Sequence, residues 1–449
     1  MSADLSSALL PRSVPGAAAW EGVGIVSVPR PDHGLSDHDY LWHLAQVGEQ
    51  SGLSKWGKRK AEEAATEEAR AELLDRREER RSAAYERQRD LSPLYPSVMR
   101  KCRRVQVSRK GTSGAPVEII VRQDGTAGFS GLVSCNRRSG CEHCGPRMLT
   151  RDAELIRAVV EAHGYERSAM LTLTFRHHQG QDLKMLRRGL SASWRRMLAH
   201  RDWRTRDALV GVRVIRALEV TLGEHGWHPH LHVILMFRAP PNPLALDTLE
   251  ALVARLWRET VVRVMGSAHV PTLSHGVSLE PCHKADYLAK LGLEWEVAAA
   301  GTGKRARGVK GRAYPQIARD WIADGCDEAS ADAGAIRGYL AGMHGAKVIT
   351  WSPGAKAAAE LLAPREEVLE RERASLHPEE WRAVRDMLTP WGTDARAAIL
   401  GACESAAPGF VQQELDALVT LLLERGRPPG GLPFQAWPKS PGVRPALLE

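Results

Sequence analysis

Gly226-Trp227-His228-Pro229-His230-Leu231-His232-Val233-Ile234-Leu235 is the stretch on which the reading of this chain turns. Histidine recurs at every second position, so in a strand the three imidazoles share one face while Leu231, Val233 and Leu235 fill the other. Just before it stands Gly223-Glu224-His225-Gly226, a four-residue loop with glycine at both ends, which predicts a hairpin joining 212–222 to 227–237. Strands paired across that loop set Glu219 opposite His230 and Thr221 opposite His228, with Glu219 on the histidine face and Leu218 on the apolar one. His230, His232 and Glu219 are therefore the expected ligands of a divalent metal. His228, nearest the turn, is an auxiliary that contacts metal or phosphate. Nitrogen and oxygen donors suit Mn²⁺, Mg²⁺ or Zn²⁺, and three protein ligands leave room for water or a substrate oxygen, as a catalytic site requires.

On either side, AMLTLTF (169–175), VRVIRALEVT (212–221) and HLHVILMF (230–237) read as strands between helical stretches rich in Arg, Leu and Trp. Residues 151–355 are thus expected to form an α+β domain with a central antiparallel sheet and flanking helices. Downstream, HKADYLAKLGLEW (283–295) has the apolar spacing of an amphipathic helix, on which Tyr287 and Lys290 share a face. A phenol can attack a phosphodiester beside a metal ion, and its high ordinary pKa makes such help necessary. Tyr314 and Tyr339 are weaker nucleophile candidates, because neither has Lys three residues on.

A second constellation is Cys135, Cys141 and Cys144 in CNRRSGCEHCGPRM. The C-x2-C turn presents two thiolates to tetrahedral Zn²⁺; Cys102 is the expected fourth ligand and His143 its rival. Residues 96–150, with β-like segments at 117–121 and 129–133, are read as a small zinc-ribbon-like module. Seven cysteines is an odd number, and the clustering of three of them at 135–144 does not resemble a disulfide framework. Arg187, Arg188 and Arg195 around Trp194 are candidate DNA contacts, through phosphate neutralisation and base stacking.

The 449 residues allow two or three domains, and a formal charge of +8 with a pI near 9.2 points mildly to a polyanionic partner. Residues 1–95 read as an irregular leader followed by a charged, solvated helical arm from Lys58 to about Asp90, and 356–449 as a helical region with a Pro-rich tail. Gly303-Lys304 lacks the flanking residues of a P-loop, which excludes that form of ATP hydrolysis. No basic leader followed by an apolar run, and no bilayer-length apolar stretch, is present, so a cytoplasmic protein is expected.

Taken together, these motifs resemble the HUH endonucleases. Pro229 to Leu235 fits their alternating hydrophobic-histidine pattern, LTLTF at 171–175 their first motif, ALEVT at 217–221 with 226–235 the second, and Tyr287-Leu288-Ala289-Lys290 the third. Within that class the chain is most similar, over about residues 100–355, to rolling-circle replication initiators of small bacterial plasmids, particularly the actinobacterial type. The resemblance implies nicking of single-stranded or extruded origin DNA with Mn²⁺ or Mg²⁺ at the site. Tyr287 would form a 5′-phosphotyrosine and release a 3′-OH primer, Lys290 would position the phosphate, and later strand rejoining would consume no ATP. It also implies a host helicase and DNA polymerase as partners in a bacterial cytoplasm. Relatives place Tyr or Glu four residues before the nucleophile; here that position is His283, and Glu280 and Asp286 are rivals for resolving the intermediate. Two other readings are a zinc-containing HUH transposase with the same chemistry and a DNA-binding regulator on an inactive scaffold, the latter disfavoured by the intact motifs.

Overall fold

Antiparallel sheets organise the computed structural model, which describes residues 67–107, 116–210, 213–272, 274–282, 311–363 and 369–428. The described strands are β1 (Val117–Arg122), β2 (Ala127–Ser130), β3 (Ser168–Leu173), β4 (Arg213–Gly223), β5 (Gly226–Met236), β6 (Val277–Pro281), β7 (Arg312–Ala313), β8 (Ile349–Trp351) and β9 (Glu370–Leu376). Six of them form one sheet in the order β6-β3-β5-β4-β7, with β8 also on β4, and the others a sheet ordered β2-β1-β9. The principal helices are α1 (Glu67–Asp90), α2 (Cys144–His163), α3 (Leu183–Leu198), α4 (Pro243–Met265), α5 (Tyr314–Ala323), α6 (Ala331–Gly342), α7 (Ala355–Leu362), α8 (Pro378–Val384), α9 (Ala395–Ser405) and α10 (Val411–Arg425). Among the described residues no helix is long and apolar enough to cross a membrane.

The hairpin of β4 and β5 takes the register expected from the sequence: Glu219 pairs with His230, Thr221 with His228, and Gly223 with Gly226. Glu224 and His225 make the turn, and Gly226 has φ +86°, where a side chain would be strained and its Cβ would also press on the His178 carbonyl. Leu218, Leu231, Val233 and Leu235 are buried as the alternation requires. From Val233 to Phe237 every residue is buried, so helices and loops cover both faces there. Within β5 only the end from Trp227 to His232 keeps half-buried side chains, and His228, His230 and His232 are among them.

Helix starts follow local chemistry. The Asp182 carboxylate accepts from Met185 N–H at the head of α3, and Asn242 Oδ1 accepts from Ala245 N–H at the head of α4, with Pro243 in the first turn. Leu183, Leu186, Leu190, Trp194 and Met197 then form the buried stripe of α3.

Three expectations change. The C-terminal region is not purely helical: β9, ERERASL, pairs with β1 through Val117 opposite Leu376 and Ile119 opposite Ala374. Its local pattern is mostly charged, so the strand exists through its partner rather than through propensity. Secondly, β1 and β2 do not belong with the cysteines. Val117, Ile119, Val121 and Phe129 share a core with Trp381, Ile399, Leu415 and Leu422, whereas Cys102, Cys141 and Cys144 lie in the core of the large sheet. The two cores cut across the 96–150 and 356–449 segments. Thirdly, α1 is not a solvated arm: Ser82, Tyr85 and Gln88 are buried, and Arg81 forms two bonds of 2.8 and 2.7 Å to the carboxylate of Glu404 on α9.

A buried ion pair holds this second core to α1. Arg396, 2% exposed, donates from Nε and Nη2 to the two oxygens of Asp394 at 3.0 Å each, and its guanidinium lies 4.0 Å over the Tyr85 ring. Asp394 also accepts from Arg89 of α1 at 3.2 Å. Removing Asp394 strands a buried cation, so Asp394→Ala is expected to lower stability by about 3–5 kcal/mol. Urea unfolding monitored by tryptophan fluorescence measures this, and a loss below about 1 kcal/mol contradicts it.

Candidate active site

At the open end of the β4–β5 hairpin, His230 Nε2 and His232 Nε2 each lie 3.0 Å from Glu219 Oε2. The three donor atoms fall within 4.8 Å of one another. The other ring nitrogens are also engaged: His230 Nδ1 faces the His228 carbonyl at 3.4 Å, and His232 Nδ1 faces Thr172 Oγ1 at 3.1 Å. His230 therefore meets an acceptor at both nitrogens, while a neutral imidazole carries one proton. With Nδ1–H donated to the carbonyl, the Nε2 lone pair and the carboxylate converge and call for a cation. A divalent metal fits that set. Burial tends to raise the Glu219 pKa, but the two imidazoles outweigh it and hold the carboxyl far below its usual range. It is an anion ready to ligate.

Two contributors were not singled out in the sequence. Thr172 stands directly opposite His232 across β3 and β5, and its hydroxyl fixes the ring; the signal was the Thr of LTLTF once strand pairing is known. His177 follows the same motif: its Nδ1 faces the His225 carbonyl at 3.1 Å and its Nε2 meets His228 Nδ1 at 2.7 Å. His228 is thus tied to His177 and is not one of the three converging ligands, in keeping with an auxiliary place. Burial, with His230 and His177 nearby, pushes the His228 pKa down to about 4, so the ring is neutral at pH 7. A cleft of about 630 Å³ opens between the hairpin tip and the 179–181 loop, lined by Gln179, Gln181, Glu224, Trp227 and Arg312 among others; none of Glu219, His228, His230 and His232 lines it.

Tyr287, Lys290, His283 and Asp286 lie outside the described residues. The chain leaves the sheet after β6, where Cys282 N–H donates to the Ser168 carbonyl at 2.9 Å, and is next described at Gly311, beside β7 on the opposite edge. Glu280 is on β6 opposite Met170, which itself pairs with Ile234, one side-chain repeat beyond His232. Tyr314 and Tyr339 are each 3% exposed and stack at 4.5 Å. Neither phenol is presented to a substrate.

The cysteines converge as well. Cys102, Cys135, Cys141 and Cys144 have their sulfurs within 4.8 Å of one another, with Cys102 at 3.5 Å from Cys144 and 3.8 Å from Cys141. Those separations match the roughly 3.8 Å that tetrahedral zinc with ~2.3 Å bonds requires and exceed any disulfide. Backbone N–H groups of Cys135 and Cys144 donate to Cys102 Sγ and Cys141 Sγ, favouring thiolates. His143 is turned away: its ring packs tilted against Tyr85 with centroids 4.4 Å apart, and its Nε2 meets Gln88 Oε1 at 3.0 Å. The fourth position belongs to Cys102.

The arginine row divides. Arg187 is buried and donates from Nε to the Gly342 carbonyl at 2.9 Å, while Trp194 is 4% exposed and edge-on to Trp203. Both are core groups, which corrects the expectation that they contact DNA. Arg188 and Arg195 are exposed.

Residues 136–240, which contain α2, α3 and the whole β4–β5 hairpin, match the model of a family described as replication protein. No curated protein matches the chain, and no solved structure does.

Two measurements test this chemistry. Replacing Thr172 with Val removes the hydroxyl that faces His232 Nδ1 and is expected to weaken Mn²⁺ binding about 10–100-fold, with Thr172→Ser restoring it; calorimetry reads the affinity, and an unchanged value counts against the role. Cys135→Ser is expected to lower zinc content, read by elemental analysis, from one equivalent toward none.

Proposed function

We propose that this protein is a rolling-circle replication initiator that nicks plasmid origin DNA, single-stranded or extruded as a hairpin, by a metal-dependent tyrosine reaction. The observation that carries the reading is the convergence of Glu219, His230 and His232 on one open end of the sheet, inside the segment that matches replication proteins. A bound Mn²⁺ or Mg²⁺ supplies Lewis-acid polarisation of a non-bridging phosphate oxygen. Glu219, His230 and His232 hold it, with Thr172 and the His228 carbonyl fixing the two rings. Tyr287 then attacks phosphorus: its phenolic oxygen gives up its proton and forms the new ester bond, the bond to the 3′ oxygen breaks, and that oxygen takes up a proton to leave a 3′-OH that primes synthesis. Lys290, three residues on, neutralises the phosphate.

Energy of the broken phosphodiester is retained in the 5′-phosphotyrosine, so later rejoining requires no nucleotide hydrolysis. Unwinding and extension fall to a host helicase and DNA polymerase, in the bacterial cytoplasm where the plasmid resides. The Cys102, Cys135, Cys141 and Cys144 set holds a structural Zn²⁺ that ties the start of α2 to the segment around Cys102.

Incubation of a labelled origin oligonucleotide with Mn²⁺ tests the reading. Wild type is expected to give a covalent protein–DNA adduct, Tyr287→Phe none, and Glu219→Gln a rate lower by about 100-fold. An adduct that persists in Tyr287→Phe disproves the nucleophile.

A further inference from the structure

Lys184, Arg188 and Arg195 recur along one exposed stripe of α3, a helix with no carboxylate in its sixteen residues. None of the three has an ion-pair partner among the described residues. Close by, in the middle of β4, Arg216 stands between Val233 of β5 and Thr350 of β8 and is only 7% exposed. Its Nε is buried without a hydrogen-bond partner, and no carboxylate or carbonyl among the described residues receives its charge.

Other buried guanidiniums with an orphaned Nε differ. Arg151 reaches Glu154 and the Ala363 carbonyl, and Arg371 reaches the Ala406 carbonyl. Arg216 alone in that group meets nothing. Burial, and then the neighbouring Arg195, push its pKa down to about 10. The one charged group whose field is felt at Arg216 is thus another cation, with no anion to offset it, an arrangement that a fold holds only at a cost.

We propose that Arg216 and Arg195 together hold one phosphate of a nucleic-acid strand that follows the Lys184–Arg188–Arg195 stripe. A phosphate there neutralises both guanidiniums and meets the planar donors with charge-assisted hydrogen bonds. Arg216 projects from the face of β4 opposite Glu219, so this anchor grips DNA away from the metal centre. That the phosphate belongs to a DNA strand rests on the nicking function proposed above; the need for a phosphate does not.

Thermal unfolding of the full chain in chloride and in inorganic phosphate at equal ionic strength tests the site without any cleavage. Wild type is expected to melt higher in phosphate. Arg216→Met, which keeps the apolar stem, is expected to lose that increment and to melt no lower than wild type in chloride. An equal phosphate increment in both proteins, or a lower melting point of Arg216→Met in chloride, overturns the site. Arg195→Ala, a surface change, is expected to shrink the increment too, and its retention overturns the pairing. For the strand itself, the slope of log affinity against log salt with a single-stranded oligonucleotide is expected to fall by about 0.7 in Arg216→Met. A lost phosphate increment with an unchanged slope assigns the site to a free anion and overturns the nucleic-acid part.

Discussion

The antiparallel register of β4 and β5 is the constraint on which the rest of the candidate site depends. It sets Glu219 beside His230 and brings His232 to the same oxygen. A slip of one residue would carry Glu219 to the apolar face and bury a carboxylate among Leu231 and Val233. The register is held twice, by the two-residue turn closed at Gly226 and by the buried row Leu218, Leu231, Val233 and Leu235. Packing on one face therefore specifies chemistry on the other.

Much of this was legible because hairpins are local. Turn glycines, alternation and a run of histidines lie within some 25 residues, and they determine pairing and face without knowledge of the rest of the chain. The cysteine cluster was legible for a similar reason, and the position of α1, which draws His143 to Gln88 and Tyr85, explains why the rival to Cys102 lies elsewhere. What local pattern could not show was partnership. Thr172 gained meaning only when β3 was placed beside β5, and Trp194 and Arg187, rich in apparent DNA chemistry, turned out to face the core of their own helix packing. Amphipathic helices and nucleic-acid surfaces use the same residue types, and burial separates them.

The second core shows the same limit more strongly. β9 carries five charged or polar residues in seven, and it becomes a strand because β1 offers an edge and α10 offers Leu415 and Leu422 to cover Ala374 and Leu376. α1 gives a parallel case: its charged composition conceals Ser82, Tyr85 and Gln88, which meet the Asp394 and Arg396 pair. Here electrostatics join elements that hydrophobic patterning does not connect.

The pairing of β1 with β9 has a consequence in time. β1 and β2 leave the ribosome before any residue of the large sheet, whereas β9 arrives after all of it. Contacts of such long sequence separation close slowly, and a nascent chain builds its early segments first. The hairpin of β1 and β2 must therefore wait, half covered, until the segment from Glu370 onward has been made. Residues 370–425 thus act as the closing step of assembly, fastening α1 and the first hairpin beside a sheet that already exists.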